Sequence, residues 1–368
     1  MFRETVKNQI GKTFDERLAG SGKIRRVMWG REERPLTVFV PWDCGHHCPF
    51  CTTKHEYEVK YPAEKIDYFF NRQKESLRRM MEYGFVDSVV FTGGEPLADL
   101  DRLDELVAIV RRSHGEVKIY ANTSLNLTEE QESRAIEYLH LCGTREDKIN
   151  GISVSLPYAD VEMFNAKGYV ALKRLLSIKP WPYNFIRVNS VIRGNEGSAQ
   201  VRKFISAILE PCKQFGVWSI NFRKDYTECT QANLNDCNDP FLATLMGMED
   251  LSYQGHGGCL VCRNDVFWPQ GDMMHRVTYH RGVERSSLRY GDLLVINDFV
   301  IKQDGEIRYD WTDGTVLPKC VMDALAEPLH QDEVEWKWKN AAFSHSLIAT
   351  GSPNGMTCRD GYSIERCG

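Results

Sequence analysis

Between residues 36 and 223 the 368-residue chain alternates short apolar runs with stretches of helical period, and no other feature restricts the fold as much. The apolar runs lie at 37–42, 87–91, 117–120, 152–155, 185–192 and 217–222. After the first, Ile66, Phe69, Phe70, Leu77, Met80 and Met81 share one face of a helix over about 63–83, which Gly84 stops. Leu103, Leu106, Val107 and Val110 mark the next helix, and Thr128 with Gln131 opens a third as a capping box running to about His140. Phe164, Val170, Leu172, Leu175 and Leu176 mark a fourth, and Val201, Phe204, Ile205 and Ile208 a fifth, ended near Pro211. Six such alternations predict parallel strands with helices outside, as an open doubly wound sheet or a barrel. A barrel keeps its chemistry at the carboxyl ends of its strands. The polar and glycine clusters of this chain fall there: cysteines after the first strand, Gly93-Gly94-Glu95-Pro96 after the second, Asn122 after the third, Ser155 ending the fourth and Asn189 within the fifth.

The first of these clusters is Cys44-Gly-His-His-Cys48-Pro-Phe-Cys51, three thiols within eight residues. Thiolates are the preferred ligands of iron–sulfur clusters, and close spacing lets one loop wrap several corners of a cube. A 4Fe–4S cluster needs four ligands, so three cysteines leave one iron open. A zinc loop or unrelated reduced thiols remain the alternatives at this level. His46 and His47 read as exposed spacers within the loop.

Composition narrows the remaining classes. A net charge of −5, from 46 basic and 51 acidic residues, offers no general attraction to nucleic acid. No apolar stretch approaches a membrane span, and the first residues lack the apolar core of a signal peptide. Twelve cysteines in such a chain predict a cytoplasmic protein whose thiols bind metal rather than pair.

The cysteine spacing, the aromatic Phe50 before the last thiol and the Gly-Gly-Glu-Pro after the second strand together resemble the radical S-adenosylmethionine (SAM) superfamily over roughly residues 36–223. The resemblance implies an α/β fold, a partial (β/α)6 barrel with a C-terminal extension. It also implies a 4Fe–4S cluster on Cys44, Cys48 and Cys51, with SAM on the fourth iron. Reductive cleavage of SAM would release a 5′-deoxyadenosyl radical that abstracts a substrate hydrogen. By the same resemblance Gly93, Gly94, Glu95 and Pro96 border the methionine ammonium, and Asn122 and Thr123 form the polar end of the third strand. Ser155 lies near the ribose, Lys167 near the SAM carboxylate, Asn189 on the cofactor from the fifth strand, and Phe50 beside the adenine. The electron would come from a small-molecule reductant or a flavodoxin- or ferredoxin-type donor.

Outside that region the chain divides into an N-terminal extension, 1–35, with nine basic and five acidic residues, and a C-terminal extension, 224–368. Residues 293–302 alternate like a strand, 303–305 turn, and 306–311 return, which predicts a β-hairpin. Cys259 and Cys262 form a Cys-x-x-Cys pair among glycines, a candidate second iron–sulfur or zinc centre, although Trp311 stands where such tails often place a cysteine. Arg276, Arg281 and Arg285 lie in a basic stretch suited to an anionic part of the substrate. The substrate is read as an anionic, nucleotide-like small molecule. Modification of a peptide, a protein or a nucleic acid is the alternative, and a non-catalytic iron–sulfur or zinc protein the distant one.

Overall fold

The computed structural model describes residues 26–29, 34–44, 51, 63–84, 86–113, 115–142, 145, 147–156, 167–178, 181–182, 185–192, 199, 202–203, 205–209, 217, 219–224, 239–257, 264–270, 276–280, 287–290, 293–296 and 298–308. The predicted alternation is present. Strand β2 (Pro35–Phe39) leads to helix α1 (Ile66–Glu82), β3 (Ser88–Thr92) to α2 (Leu100–Ser113), and β4 (Lys118–Thr123) to α3 (Glu129–Cys142). Then β5 (Gly151–Leu156) leads to α4 (Lys167–Ser177), and β6 (Ile186–Ile192) is followed by helical residues 205–209 before β7 (Ser219–Lys224). The capping box forms as its residue types dictate: Gln131 N donates to Thr128 Oγ1 at 3.2 Å, and Thr128 N donates to Gln131 Oε1 at 3.0 Å.

Strands β2 to β7 pair in chain order, all parallel, and the sheet does not stop there. Beyond β7 it takes up β10 (Arg276–His280), parallel, and then antiparallel β9 (Asn264–Pro269) and β8 (Leu251–Gly257), which follow a short helix α5 (Pro240–Met246). Beyond β2 it takes up β13 (Phe299–Ile301), parallel, and antiparallel β14 (Ile307–Arg308). Among the described residues the result is one open sheet of eleven strands, the partial barrel widened at both edges by residues after 224. A small second sheet pairs β1 (Arg26–Trp29) with β12 (Leu293–Ile296), and β12 with β11 (Ser287–Tyr290).

One correction follows. The stretch 293–302 is two strands rather than one, because the chain leaves the small sheet after Ile296 and enters the large one at Phe299. Asp298 marks the crossing and accepts a buried 2.7 Å hydrogen bond from Thr37 Oγ1 of β2. The hairpin itself stands as β13 and β14.

The parallel strands present two unlike faces. Leu36, Val38, Val89, Phe91, Ile119, Ile152, Val154, Val188 and Phe222 alternate onto the face that packs against Leu77, Met80, Leu103, Val107, Leu139 and Leu172 of the helices. The opposite face, helix-free among the described residues, carries Thr92, Tyr120, Asn122, Ser153, Ser155, Arg187, Asn189, Asn221 and Thr278, placed together by the pairing register. Period-two alternation makes one side oily and the other polar.

Candidate active site

The polar face meets the cysteine segment at the carboxyl ends of β2, β3 and β4. Val40 N donates to Thr92 O at 2.8 Å, which carries the β2–β3 pairing one step past the strand. Trp42 is buried, and its Nε1 donates to Glu95 O at 2.8 Å. Cys44 follows directly, its N–H held by Asp43 Oδ1 at 2.7 Å. The cysteine loop therefore starts from a segment fastened to the Gly-Gly-Glu-Pro turn. Within that turn Gly93 takes a φ of 101°, a conformation open to glycine and costly for other residues.

Glu95 is 1% exposed, and its carboxylate is fully engaged. Oε1 accepts from Thr123 Oγ1 at 2.6 Å and from Leu97 N at 3.2 Å, and Oε2 accepts from Ser124 N and Ser124 Oγ, both at 2.7 Å. Burial pushes the carboxyl above its ordinary value, and the donors from Thr123, Ser124 and Leu97 pull against that rise. With these four donors seated, Glu95 joins the end of β4 to the turn after β3.

Helix α4 closes the same end from another side. A Cβ added to Gly168 would collide with the carbonyl oxygen of Ser124, so only glycine lets the first turn of α4 lie this close to β4. Lys167 begins that helix. Leu125, next to Ser124, sits at a φ of 54°, a strained value for a non-glycine residue, and its N–H is held by Thr123 Oγ1 at 3.0 Å.

On the helix-free face, two residues nearer the carboxyl ends than Ser153, Ser155 and Asn189 are register partners on β5 and β6, and Asn189 pairs with Asn221 on β7. Asn221 Nδ2 donates to Asn189 Oδ1 at 2.8 Å, while Asn221 Oδ1 accepts from Ser219 Oγ at 3.2 Å and from Thr278 Oγ1. Asn122 Nδ2 reaches Thr92 Oγ1 at 3.4 Å. The structure thus brings Gly93, Gly94, Glu95, Pro96, Asn122 and Thr123 to one end of the sheet and sets Ser155 and Asn189 on its polar face. Cys44 and Cys51 are both half-buried. Cys48, Phe50, Cys259, Cys262, Arg281 and Arg285, and the side chain of Lys167, lie outside the described residues. Sequence reasoning missed Trp42, Ser124, Gly168, Arg187 and Asn221. Period-two counting along the fifth and sixth strands would have put Arg187 and Asn221 on the same side as Asn189.

Residues 43–167, from the residue before the first cysteine to the start of α4, match the family described as the radical SAM superfamily. The match places residues 43–167 in that superfamily. No curated protein matches the sequence. Among solved structures, Streptococcus suis SuiB bound to precursor peptide SuiA is 13% identical, with a TM-score of 0.49, covering 80% of this chain and 65% of that one. SuiB bound to S-adenosylmethionine is 13% identical, with a TM-score of 0.47 and coverage of 82% and 67%. BtrN in complex with AdoMet and 2-DOIA is 19% identical, with a TM-score of 0.22 and coverage of 34% and 46%. This chain spans 65% of the length of the first of these.

The superfamily match over residues 43–167 implies a 4Fe–4S cluster and SAM. The described residues fit that pair. Thiols are the donors the cluster requires, two of the three flank the loop in half-buried positions, and the segment leading to the loop is anchored through Trp42 to the Gly-Gly-Glu-Pro turn. Among the described residues no helix is long and apolar enough to cross a membrane.

Proposed function

We propose that the protein binds SAM between the cysteine loop and the carboxyl ends of β3 to β6 and acts on a substrate held against the helix-free face of the sheet. The supporting observation is the joint at Glu95, which links the segment leading to Cys44, the turn at Gly93 and the end of β4 in one hydrogen-bonded unit. Cys44, Cys48 and Cys51 would hold a 4Fe–4S cluster, which together with bound SAM would supply the chemistry for abstracting a hydrogen atom from the substrate.

The remaining work belongs to the chain. The backbone at Gly93 and Gly94, ahead of Pro96, receives the methionine ammonium, and Glu95 sets its position through Thr123 and Ser124. Lys167, at the start of α4, offers a cation to the SAM carboxylate. Ser155 and Asn189 present hydroxyl and amide groups to the ribose, with Asn122 beside them and the backbone of Phe50 at the adenine. The packed helices on the other face exclude water from one side of the sheet. A ferredoxin- or flavodoxin-type protein or a small-molecule reductant delivers the electron, and a reducing cytoplasm keeps the thiols free. Cys259 and Cys262 hold a second iron–sulfur or zinc centre.

Anaerobic reconstitution with iron and sulfide tests this reading. The wild type should form 5′-deoxyadenosine from SAM and dithionite, and a variant with Cys44, Cys48 and Cys51 all changed to Ala should form none. Metal retained by that triple variant would report the second centre, and negligible iron and zinc in it would remove Cys259 and Cys262 from the proposal. Continued 5′-deoxyadenosine formation by the triple variant would overturn the assignment of the first site.

A further inference from the structure

The hydrogen bonds around Asn221 fix which way two amides face. Asn221 of β7 lies in one row with Asn189 of β6 and Thr278 of β10, its register partners on either side. Ser219 stands two residues back on the same face of β7, paired with Arg276 of the basic stretch. Asn221 Oδ1 accepts from Ser219 Oγ at 3.2 Å and from Thr278 Oγ1, and Asn221 Nδ2 donates to Asn189 Oδ1 at 2.8 Å. Asn122 of β4, by contrast, holds a single contact of 3.4 Å to Thr92 Oγ1.

An amide taken alone could be turned over, exchanging its oxygen and nitrogen, so the direction of this chain of contacts has to follow from its ends. One end is a pair of buried hydroxyls, since Ser219 and Thr278 are each 2% exposed. Neither makes another side-chain hydrogen bond among the described residues. If Asn221 turned its nitrogen toward them, both hydroxyls would accept, and both of their hydrogens would be buried without an acceptor. An unused lone pair is cheaper than an orphaned buried donor. Both hydroxyls therefore donate, Asn221 puts its oxygen on them and its nitrogen on Asn189, and Asn189 accepts with Oδ1. What the half-buried Asn189 has left is its NH2 group, with no partner among the described residues.

We propose that Ser219, Asn221 and Thr278 are positioning residues that hold Asn189 as a hydrogen-bond donor toward SAM, so that the group it meets is an acceptor oxygen of the ribose. The inference rests on the reading that Asn189 faces the ribose. It gives the C-terminal extension a part in the site, because β10 supplies through Thr278 one of the two hydroxyls that set the polarity. The relay contains no titratable group, so its orientation does not change with pH while the protein stays folded.

Two measurements on the full chain with its cluster reconstituted test this. In protein labelled with 15N-asparagine, the side-chain amide signals of Asn189 and Asn221 are assigned from their loss in Asn189→Ala and Asn221→Ala. Their hydrogen exchange is then followed before SAM is added. The Asn221 amide proton engaged by Asn189 Oδ1 should exchange roughly tenfold more slowly than those of Asn189. In Asn221→Asp, where a carboxylate can only accept, the Asn189 amide should become the slow one. Equal or reversed rates in the wild type would overturn the relay. Calorimetry with SAM, without reductant, gives the second readout. Asn189→Ala should weaken binding roughly 3- to 10-fold. Asn221→Asp should weaken it as much or more, although a carboxylate near the cationic sulfonium would by charge alone tighten it. Thr278→Val should lose less, and Thr278→Ser, which keeps the hydroxyl, should bind like wild type. The double variant Asn189→Ala/Asn221→Asp should lose no more than Asn189→Ala alone; additive losses would show that Asn221 acts independently of Asn189 and would overturn the proposal. The two readouts separate the two claims. The expected exchange order with no effect of Asn189→Ala on SAM affinity would defeat the placement of the ribose, and the proposal with it, while leaving the amide orientation intact. A loss in Asn189→Ala with reversed exchange would keep the ribose reading and remove the relay.

Discussion

At the scale of single residues, Glu95 carries more of the architecture than its place in a glycine turn suggests. Its four hydrogen bonds come from a strand-end hydroxyl, a second hydroxyl and two backbone amides, all in a buried setting. Removing the carboxylate leaves those donors without an acceptor, and each such group costs about 1–3 kcal/mol. Glu95→Ala should therefore destabilise the protein by about 3 kcal/mol or more, read as a lower urea midpoint with an unchanged slope. Glu95→Gln keeps one acceptor oxygen and should fall between the two. If Glu95→Ala kept its midpoint but lost SAM affinity, the carboxylate would belong to the cofactor rather than to the joint. The buried Lys224–Asp239–Tyr279 group shows the same economy on the helix-covered side. Asp239 caps α5 through Phe241 N and Leu242 N, both at 3.0 Å, and accepts from Tyr279 Oη at 2.8 Å.

At the scale of elements, the approach of α4 to β4 depends on a missing side chain. Ala is the better helix former by about 1 kcal/mol, so on propensity alone Gly168→Ala would stabilise. The collision with Ser124 O acts against that gain, and overpacking of this kind costs about 1–3 kcal/mol. The expected result is a net loss of stability, together with weaker SAM binding, because the start of α4 and Lys167 would shift away from the strand ends. A Gly168→Ala protein that melts higher than wild type would show that the contact has room to relax. Helix α3 needs no such device, since its capping box and its buried Ala135, Tyr138, Leu139 and Cys142 suffice to seat it. Burial pushes the Cys142 thiol up to about 12, with backbone and Tyr138 hydrogen bonds acting against the rise, so this cysteine packs as an apolar residue.

At the scale of the whole molecule, the C-terminal hairpin closes the free edge of β2. Gln73 of α1 donates to Phe39 O and, at 3.2 Å, to Lys302 O, and Ser76 Oγ donates to Gly305 O, so α1, β2 and the β13–β14 hairpin share one set of contacts. Gly305 adopts a φ of 79°, and a Cβ there would come within 2.8 Å of the Arg72 backbone. Gly305→Ala meets both penalties and should cost about 2 kcal/mol or more in thermal or urea unfolding. Stability equal to wild type would mean that the hairpin can lift from α1 without consequence.

Much of this was legible in the sequence because it is local. The alternation of apolar runs, the capping box at Thr128 and Gln131, the helix stop near Gly84 and the Gly-Gly-Glu-Pro turn each depend on residues a few positions apart, and backbone sterics and period decide them. The positions of the strand-end residues followed from the same count. The extent of the sheet did not. Strands β10 and β13 join it through partners separated by tens to hundreds of residues, and nothing in the 276–280 or 299–301 segments names β7 or β2 as the neighbour. Sequence by itself determined the α/β order, the cysteine and glycine signatures and the family that residues 43–167 match. Tertiary structure alone decided that Glu95 turns inward to Ser124 and that Arg187 and Arg276 share a row, because lateral strand pairing sets both and sequence distance carries no record of it.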